Sequence, residues 1–208
     1  MQKIKRAECL VLATHNPGKV REMRALLAPY GVGVLSAGDL NLPVPDETEA
    51  TFTGNATLKA VAAANAAKLP ALSDDSGIEV AALDDAPGVV SADWAGPGKD
   101  FALAMRRIHD ELIARSGNFA DKPRANFTSV LCLARPGEPA QCFEGKVFGH
   151  IVWPPRGSNG FGYDPMFVPD GHERTFGEMG AAQKENLSHR ARSFEKFAAA
   201  CLIGVKSA

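Results

Sequence analysis

The sequence predicts an α/β fold: a mixed β-sheet with flanking helices. Three observations lead there. In the first half of the chain short apolar runs alternate with helical patterns, which calls for crossover connections. Further on, two strand-like runs are separated by little more than "RPGEP", a turn signal for an antiparallel pair. The 208 residues, 45% hydrophobic and 23% charged, are enough to bury a sizeable core, and residues 1–208 are expected to form a single domain.

Taken in order, "CLVLA" (Cys9 to Ala13) is a short apolar run suited to a buried strand. The turn "THNPGK" follows, then a helical pattern from Val20 to Ala28. A second helix fits "TFTGNATLKAVAAANAAKL", opening at Thr51 or Thr53 and stopping before Pro70. "ALSDDSG" reads as a strand that ends on acidic turn residues. Between Lys99 and Arg115, Phe101, Met105, Ile108 and Leu112 recur at spacings of four, three and four, which marks an amphipathic helix. "ANFTSVLCLA" and "AQCFEGKVFG" supply the antiparallel pair, and "HIVW" a third run ending at Pro154. A closing helix keeps Ala191, Phe194, Ala198 and Cys201 on one face and is expected to stop at Gly204.

Composition excludes several classes of function. With 23 basic against 24 acidic residues the chain lacks the charge to grip a nucleic-acid backbone or an anionic membrane. No segment approaches the roughly 18–20 uninterrupted apolar residues of a membrane span. The four cysteines (Cys9, Cys132, Cys142, Cys201) are scattered without C-x-x-C spacing, and the five histidines form no zinc-like cluster. They read as buried thiols of a cytoplasmic protein.

Five stretches carry candidate chemistry. In "THNPGK", Pro17 and Gly18 between a strand and a helix expose backbone N–H groups, and Lys19 adds a full charge. Such a loop suits phosphate, although an ordinary turn with a solvated lysine looks the same. In "SDDSG", adjacent aspartates at the end of a buried run are unusual, because an unpaired buried carboxylate is costly. Alternation aims only one of Asp74 and Asp75 at a given site, and hard carboxylate oxygens suit Mg²⁺. "DETE" (Asp46 to Glu49) either supplies a further ligand or is a solvated loop. In "GSNGFGYDP", glycines flank Phe161 and Tyr163, whose rings either stack on a nucleobase or plug the core. Finally, "NLSHRAR" places His189, Arg190 and Arg192 at a helix start capped by Ser188, where each cation costs roughly 0.3–1 kcal/mol. Donors there suit a ligand with carbonyl or ring-nitrogen acceptors, such as a 6-oxopurine. Pairing with carboxylates such as Glu195 is the alternative.

In this order and spacing, "THNPGK", "SDDSG", "GFGYDP" and K-x-x-x-SHR resemble the non-canonical purine nucleoside triphosphate pyrophosphatases, the inosine/xanthosine triphosphatase family, over nearly the whole chain. The resemblance implies a Mg²⁺-dependent enzyme that converts ITP, dITP or XTP to the monophosphate and pyrophosphate. It also implies an elongated mixed sheet with two lobes around a central active-site groove, and a homodimer. Carried over by motif, Thr14, His15, Asn16, Pro17, Gly18 and Lys19 form the triphosphate loop. Asp75 is the general base near the metal, Glu47 the second metal-associated carboxylate, and Ser76 a substrate contact. Phe161, Gly162, Tyr163, Asp164, Lys184, His189 and Arg190 hold the nucleoside. Two departures stand out: His15 where many members carry glycine, and "GNA" with Gly54 where the family often reads "ENA". The alternatives are a house-cleaning pyrophosphatase for other modified nucleotides and a non-catalytic nucleotide sensor.

Overall fold

The apolar run near the N-terminus forms strand β1 (Cys9–Leu12), followed by helix α1 (Pro17–Leu27) and strand β2 (Gly33–Ser36). The computed structural model describes residues 3–119 and 121–203. Helix α2 (Phe52–Ala67) opens at Thr51, whose hydroxyl accepts the Gly54 amide at 3.0 Å, and ends on Lys68 in the left-handed conformation. Strand β3 (Ala71–Val80), helix α3 (Phe101–Ser116) and strands β4 (Arg124–Ala134) and β5 (Gln141–Ile151) follow. The chain then forms the short strand β6 (Phe167–Pro169) and helices α4 (Ala181–Leu187) and α5 (His189–Cys201).

The strands make one mixed sheet in the order β2-β1-β3-β4-β5-β6. β1 runs parallel to β2, with Cys9 opposite Gly33, and parallel to β3, with Val11 opposite Ala71. β6 is antiparallel to β5, with Gly149 opposite Pro169. The α/β expectation holds.

The described residues group into two compact units. The first draws on Met1–Asp75, Ser129–Gly145 and Arg190–Ala208, the second on Ser76–Thr128 and Lys146–His189. In the first unit, Leu10, Leu12, Leu72, Leu131 and Leu133 from the strands pack against Met23 and Leu27 of α1 and Phe194 and Phe197 of α5. In the second, Ile78, Val80, Phe127, Val147 and Ile151 pack with Met105, Ile108 and Leu112, the stripe predicted for α3.

Several local expectations need correction. The strand bearing "SDDSG" does not stop at the acids but runs on to Val80, because each aspartate finds a cation and can stay inside the sheet. "HIVW" is not a separate strand. Gly149 lets β6 approach so closely that a Cβ there would lie 2.2 Å from the Val168 carbonyl oxygen, and β5 continues unbroken through Ile151. Helix α1 begins three residues earlier than its apolar pattern, at Pro17, where the fixed φ suits the first helical position. Helix α5 ends at Cys201, and Gly204 lies outside the described residues.

Candidate active site

In the first unit the site is built around the two aspartates of β3, whose side chains engage different helices as strand alternation requires. Asp74 accepts from Ser129 Oγ at 2.7 Å, Lys19 Nζ at 2.8 Å and Arg190 Nη2 at 3.1 Å. Arg190 Nη1 also pairs with Glu22 of α1. Burial alone would raise the Asp74 pKa, but the Arg190 and Lys19 charges outweigh it and hold the carboxyl well below the usual range. Asp74 is therefore a fixed anion that anchors Lys19 and Arg190.

Asp75 is different. Its Oδ1 accepts from Lys59 Nζ at 2.6 Å, and the same ammonium reaches Glu47 Oε1 at 2.8 Å. Among the described residues its Oδ2 is buried with no hydrogen-bond partner. Burial pushes the Asp75 pKa above the ordinary aspartate value, although Lys59 and Lys19 oppose it. Lys59 stays an ammonium: burial would lower its pKa, but Asp75 and Glu47 raise it. A buried carboxylate with one oxygen fixed and one open, and a pKa displaced toward neutrality, suits the orientation and deprotonation of a water.

The "THNPGK" loop departs from the simplest phosphate-cradle picture. Asn16 caps α1, and its Oδ1 accepts from the amides of Gly18 at 2.8 Å and Lys19 at 3.4 Å. Thr14 Oγ1 accepts from the Asn16 amide at 3.1 Å. His15 is exposed and donates from Nε2 to the Leu42 carbonyl at 3.0 Å, which fixes its tautomer. The full charge of Lys19 is thus the strongest feature this loop offers to an anion. At Gly54, a Cβ would come within 2.6 Å of Glu49 Cβ, so the Glu49 side chain fills the space a larger residue would need.

In the second unit a compact group forms around Asp164, which is buried. Its Oδ2 accepts from the Phe161 amide at 2.8 Å and from Lys184 Nζ at 2.7 Å. The Lys184 ammonium also lies 4.7 Å from the centre of the Phe161 ring. Gly160, at φ +76°, permits the turn, since a Cβ there would sit 2.0 Å from Asp164 Oδ2. Gly162 follows at φ +68°. The two aromatic readings divide between the two rings. Tyr163 is a core residue whose hydroxyl donates to the Ser91 carbonyl at 2.8 Å, whereas Phe161 is only partly buried. His189 is buried and stacks on Phe127, with ring centres 4.9 Å apart. Ser76 is partly buried on β3.

Sequence reasoning missed Lys59 and Glu22 as site residues. Lys59 had a readable signal. On α2 it shares the buried stripe with Ala56, Ala60 and Ala63, where a lysine is tolerated only if paired. Glu22 gave no such signal.

Comparison with known proteins gives a consistent result. The chain matches the Ham1 family over residues 10–200. It is 58% identical over 200 residues to a dITP/XTP pyrophosphatase of a Bradyrhizobium species, covering 93% of this chain and 94% of that one. With the dITP/XTP pyrophosphatase of Ruegeria pomeroyi the identity is 56% over 200 residues, covering 95% and 97%. A solved HAM1 protein from Coxiella burnetii superposes with a TM-score of 0.85 at 35% identity, over 93% of this chain and 98% of that one.

Proposed function

Because this chain belongs to the Ham1 family, we propose that it hydrolyses non-canonical purine nucleoside triphosphates (ITP, dITP and XTP) to the monophosphate and pyrophosphate. The substrate class rests on the relatives. Within this chain the supporting observation is Asp75, with Oδ1 fixed by Lys59 and Oδ2 buried and open among the described residues.

In the proposed reaction Asp75 Oδ2 accepts a hydrogen bond from a water and takes up its proton as the water adds to the α-phosphorus. Lys59 holds the carboxylate in position and favours its ionised form. Lys19 offsets charge on the departing pyrophosphate, with Thr14, His15, Asn16, Pro17 and Gly18 completing the phosphate loop. Phe161, Gly162, Asp164, Lys184, His189 and Ser76 are assigned to the nucleoside, with Tyr163 anchoring their loop in the core through its bond to Ser91. Arg190 joins them and has the second task of holding Asp74 ionised.

The residues present suit Mg²⁺, which takes only one or two protein carboxylates and completes its shell with water and phosphate. Glu47, half-exposed, is the carboxylate that would hold it directly, with Asp75 beside it across the shared Lys59 ammonium, and the described residues contain no larger metal-binding group. When bound, Mg²⁺ would supply charge neutralisation on the phosphates. We extend the proposal to one catalytic domain over residues 1–208, acting as a cytoplasmic homodimer. The four free cysteines support the compartment. Among the described residues, no helix is long and apolar enough to cross a membrane.

Product analysis tests the reaction. With Mg²⁺, ITP and XTP should release pyrophosphate, and ATP should be a poor substrate. Its 6-amino donor set against protein donors leaves groups unpaired at about 1–3 kcal/mol each. Orthophosphate as the sole inorganic product would contradict the assignment, and tight ITP binding without turnover would favour a nucleotide sensor. Phe161→Ala should raise KM for ITP by about 5–150-fold, the equivalent of losing a ~1–3 kcal/mol stack. Hydrolysis of tripolyphosphate should barely change. Equal effects on both compounds would remove Phe161 from base binding.

A further inference from the structure

Cys132 and Cys142 lie apart in sequence but sit on the neighbouring strands β4 and β5. Their sulfurs converge on one hydroxyl, with Thr57 Oγ1 3.7 Å from Cys132 Sγ and 3.3 Å from Cys142 Sγ. Both cysteines and Thr57 belong to the first unit. This corrects the expectation of four scattered buried thiols: Cys132 and Cys201 are buried, but Cys9 and Cys142 are only partly so.

The pair divides its labour. The neighbouring Cys132 thiol lowers the Cys142 pKa to about 7, against the opposing effect of burial. Cys132 is pushed up and stays a thiol. An attacking thiol with a pKa near ambient pH is in the most reactive range. Thr57 donates to the Thr53 carbonyl at 2.8 Å and can turn its hydrogen toward a sulfur that has become a thiolate. Neighbouring strands lie about 4.8 Å apart, within the roughly 4.4–6.8 Å Cα separation of disulfides. With both sulfurs on one hydroxyl, a disulfide between two such strands calls for side-chain rotation rather than strand separation.

We propose that Cys132 and Cys142 form a hydroperoxide-responsive dithiol, in which Cys142 is oxidised first and Cys132 resolves it to a reversible intramolecular disulfide across β4 and β5. In the first step the Cys142 thiolate attacks the O–O bond. An S–O bond forms, the peroxide is reduced by two electrons, and its other oxygen leaves with a proton as water or an alcohol. In the second, the Cys132 sulfur attacks the Cys142 sulfenic acid. The S–S bond forms as the S–O bond breaks, and the Cys132 proton leaves with the hydroxyl as water. Cys201, buried and donating to Gln141 Oε1 at 3.8 Å, and Cys9 on β1 serve as internal controls.

The test treats the intact folded protein with hydrogen peroxide, alkylates it under denaturing conditions and maps the thiols by mass spectrometry. The expected result is loss of the Cys132 and Cys142 thiols within one chain, with the mass of two hydrogens, and recovery on adding dithiothreitol. In Cys132→Ser, dimedone should label Cys142 and no intramolecular disulfide should appear. If that variant does not fold, the wild-type map alone decides. Retention of all four thiols, loss at Cys9 or Cys201, or a bridge between two chains would overturn the proposal.

Discussion

Asp75→Asn is expected to lower kcat for ITP by about 10²–10⁴-fold, the range for loss of a positioned general base. Folding should be unaffected. In the native protein burial raises the Asp75 pKa above its ordinary value of 3.8, so folding favours the neutral form of this group. The linkage follows: as pH rises from 3.8 through the raised folded pKa, ionising Asp75 works against stability. A neutral asparagine of the same shape should leave Tm no lower than the parent's, separating activity from fold. The parent's kcat/KM should fall as pH drops through that raised pKa, and the variant should lack this limb. Calorimetry beside a pH–rate profile checks both halves. A folded variant with near-parent turnover would remove Asp75 from the mechanism.

Arg190→Ala has the largest expected effect on stability. Arg190 is 2% exposed and is held between Asp74 and Glu22. Its removal leaves Asp74 buried with a major partner gone, and breaking a buried pair in this way costs about 3–5 kcal/mol. The pH dependence has a definite sign. The folded Asp74 pKa lies well below 3.8, so its contribution is present above that value and is lost as pH falls through the folded pKa. Denaturant unfolding of parent and variant should therefore differ most at neutral pH and converge on acidification. A loss below ~1 kcal/mol would be typical of a surface pair and would contradict the buried-anchor role. In the variant that remains folded, KM for ITP should rise more than the response to tripolyphosphate changes. Equal losses would confine Arg190 to the ion pairs.

Elements with local signals were legible in the sequence. The Thr51 cap and the stop before Pro70 delimit α2, and the spacing of Met105, Ile108 and Leu112 gives α3. β2 and β6 span only 4 and 3 residues, too few for a period-2 pattern, and α4 follows Gly180, which offers no side-chain cap. The acids of "SDDSG" were visible as an anomaly within an apolar run, but their partners were not. Lys59 and Asp75 lie 16 residues apart and Arg190 and Asp74 lie 116 apart, so only the tertiary fold shows why a strand can carry both carboxylates. The cations at the start of α5 are explained in part by the same geometry, because Arg190 meets Asp74 and Glu22 and not Glu195.

In the proposed reaction a water oriented by Asp75 attacks the α-phosphorus. Hydrolysis of ITP in ¹⁸O-labelled water, with both products analysed by mass spectrometry, tests it most directly. The label is expected in the monophosphate, with none in the pyrophosphate. Label in the pyrophosphate would mean attack at the β-phosphorus and would contradict the claim.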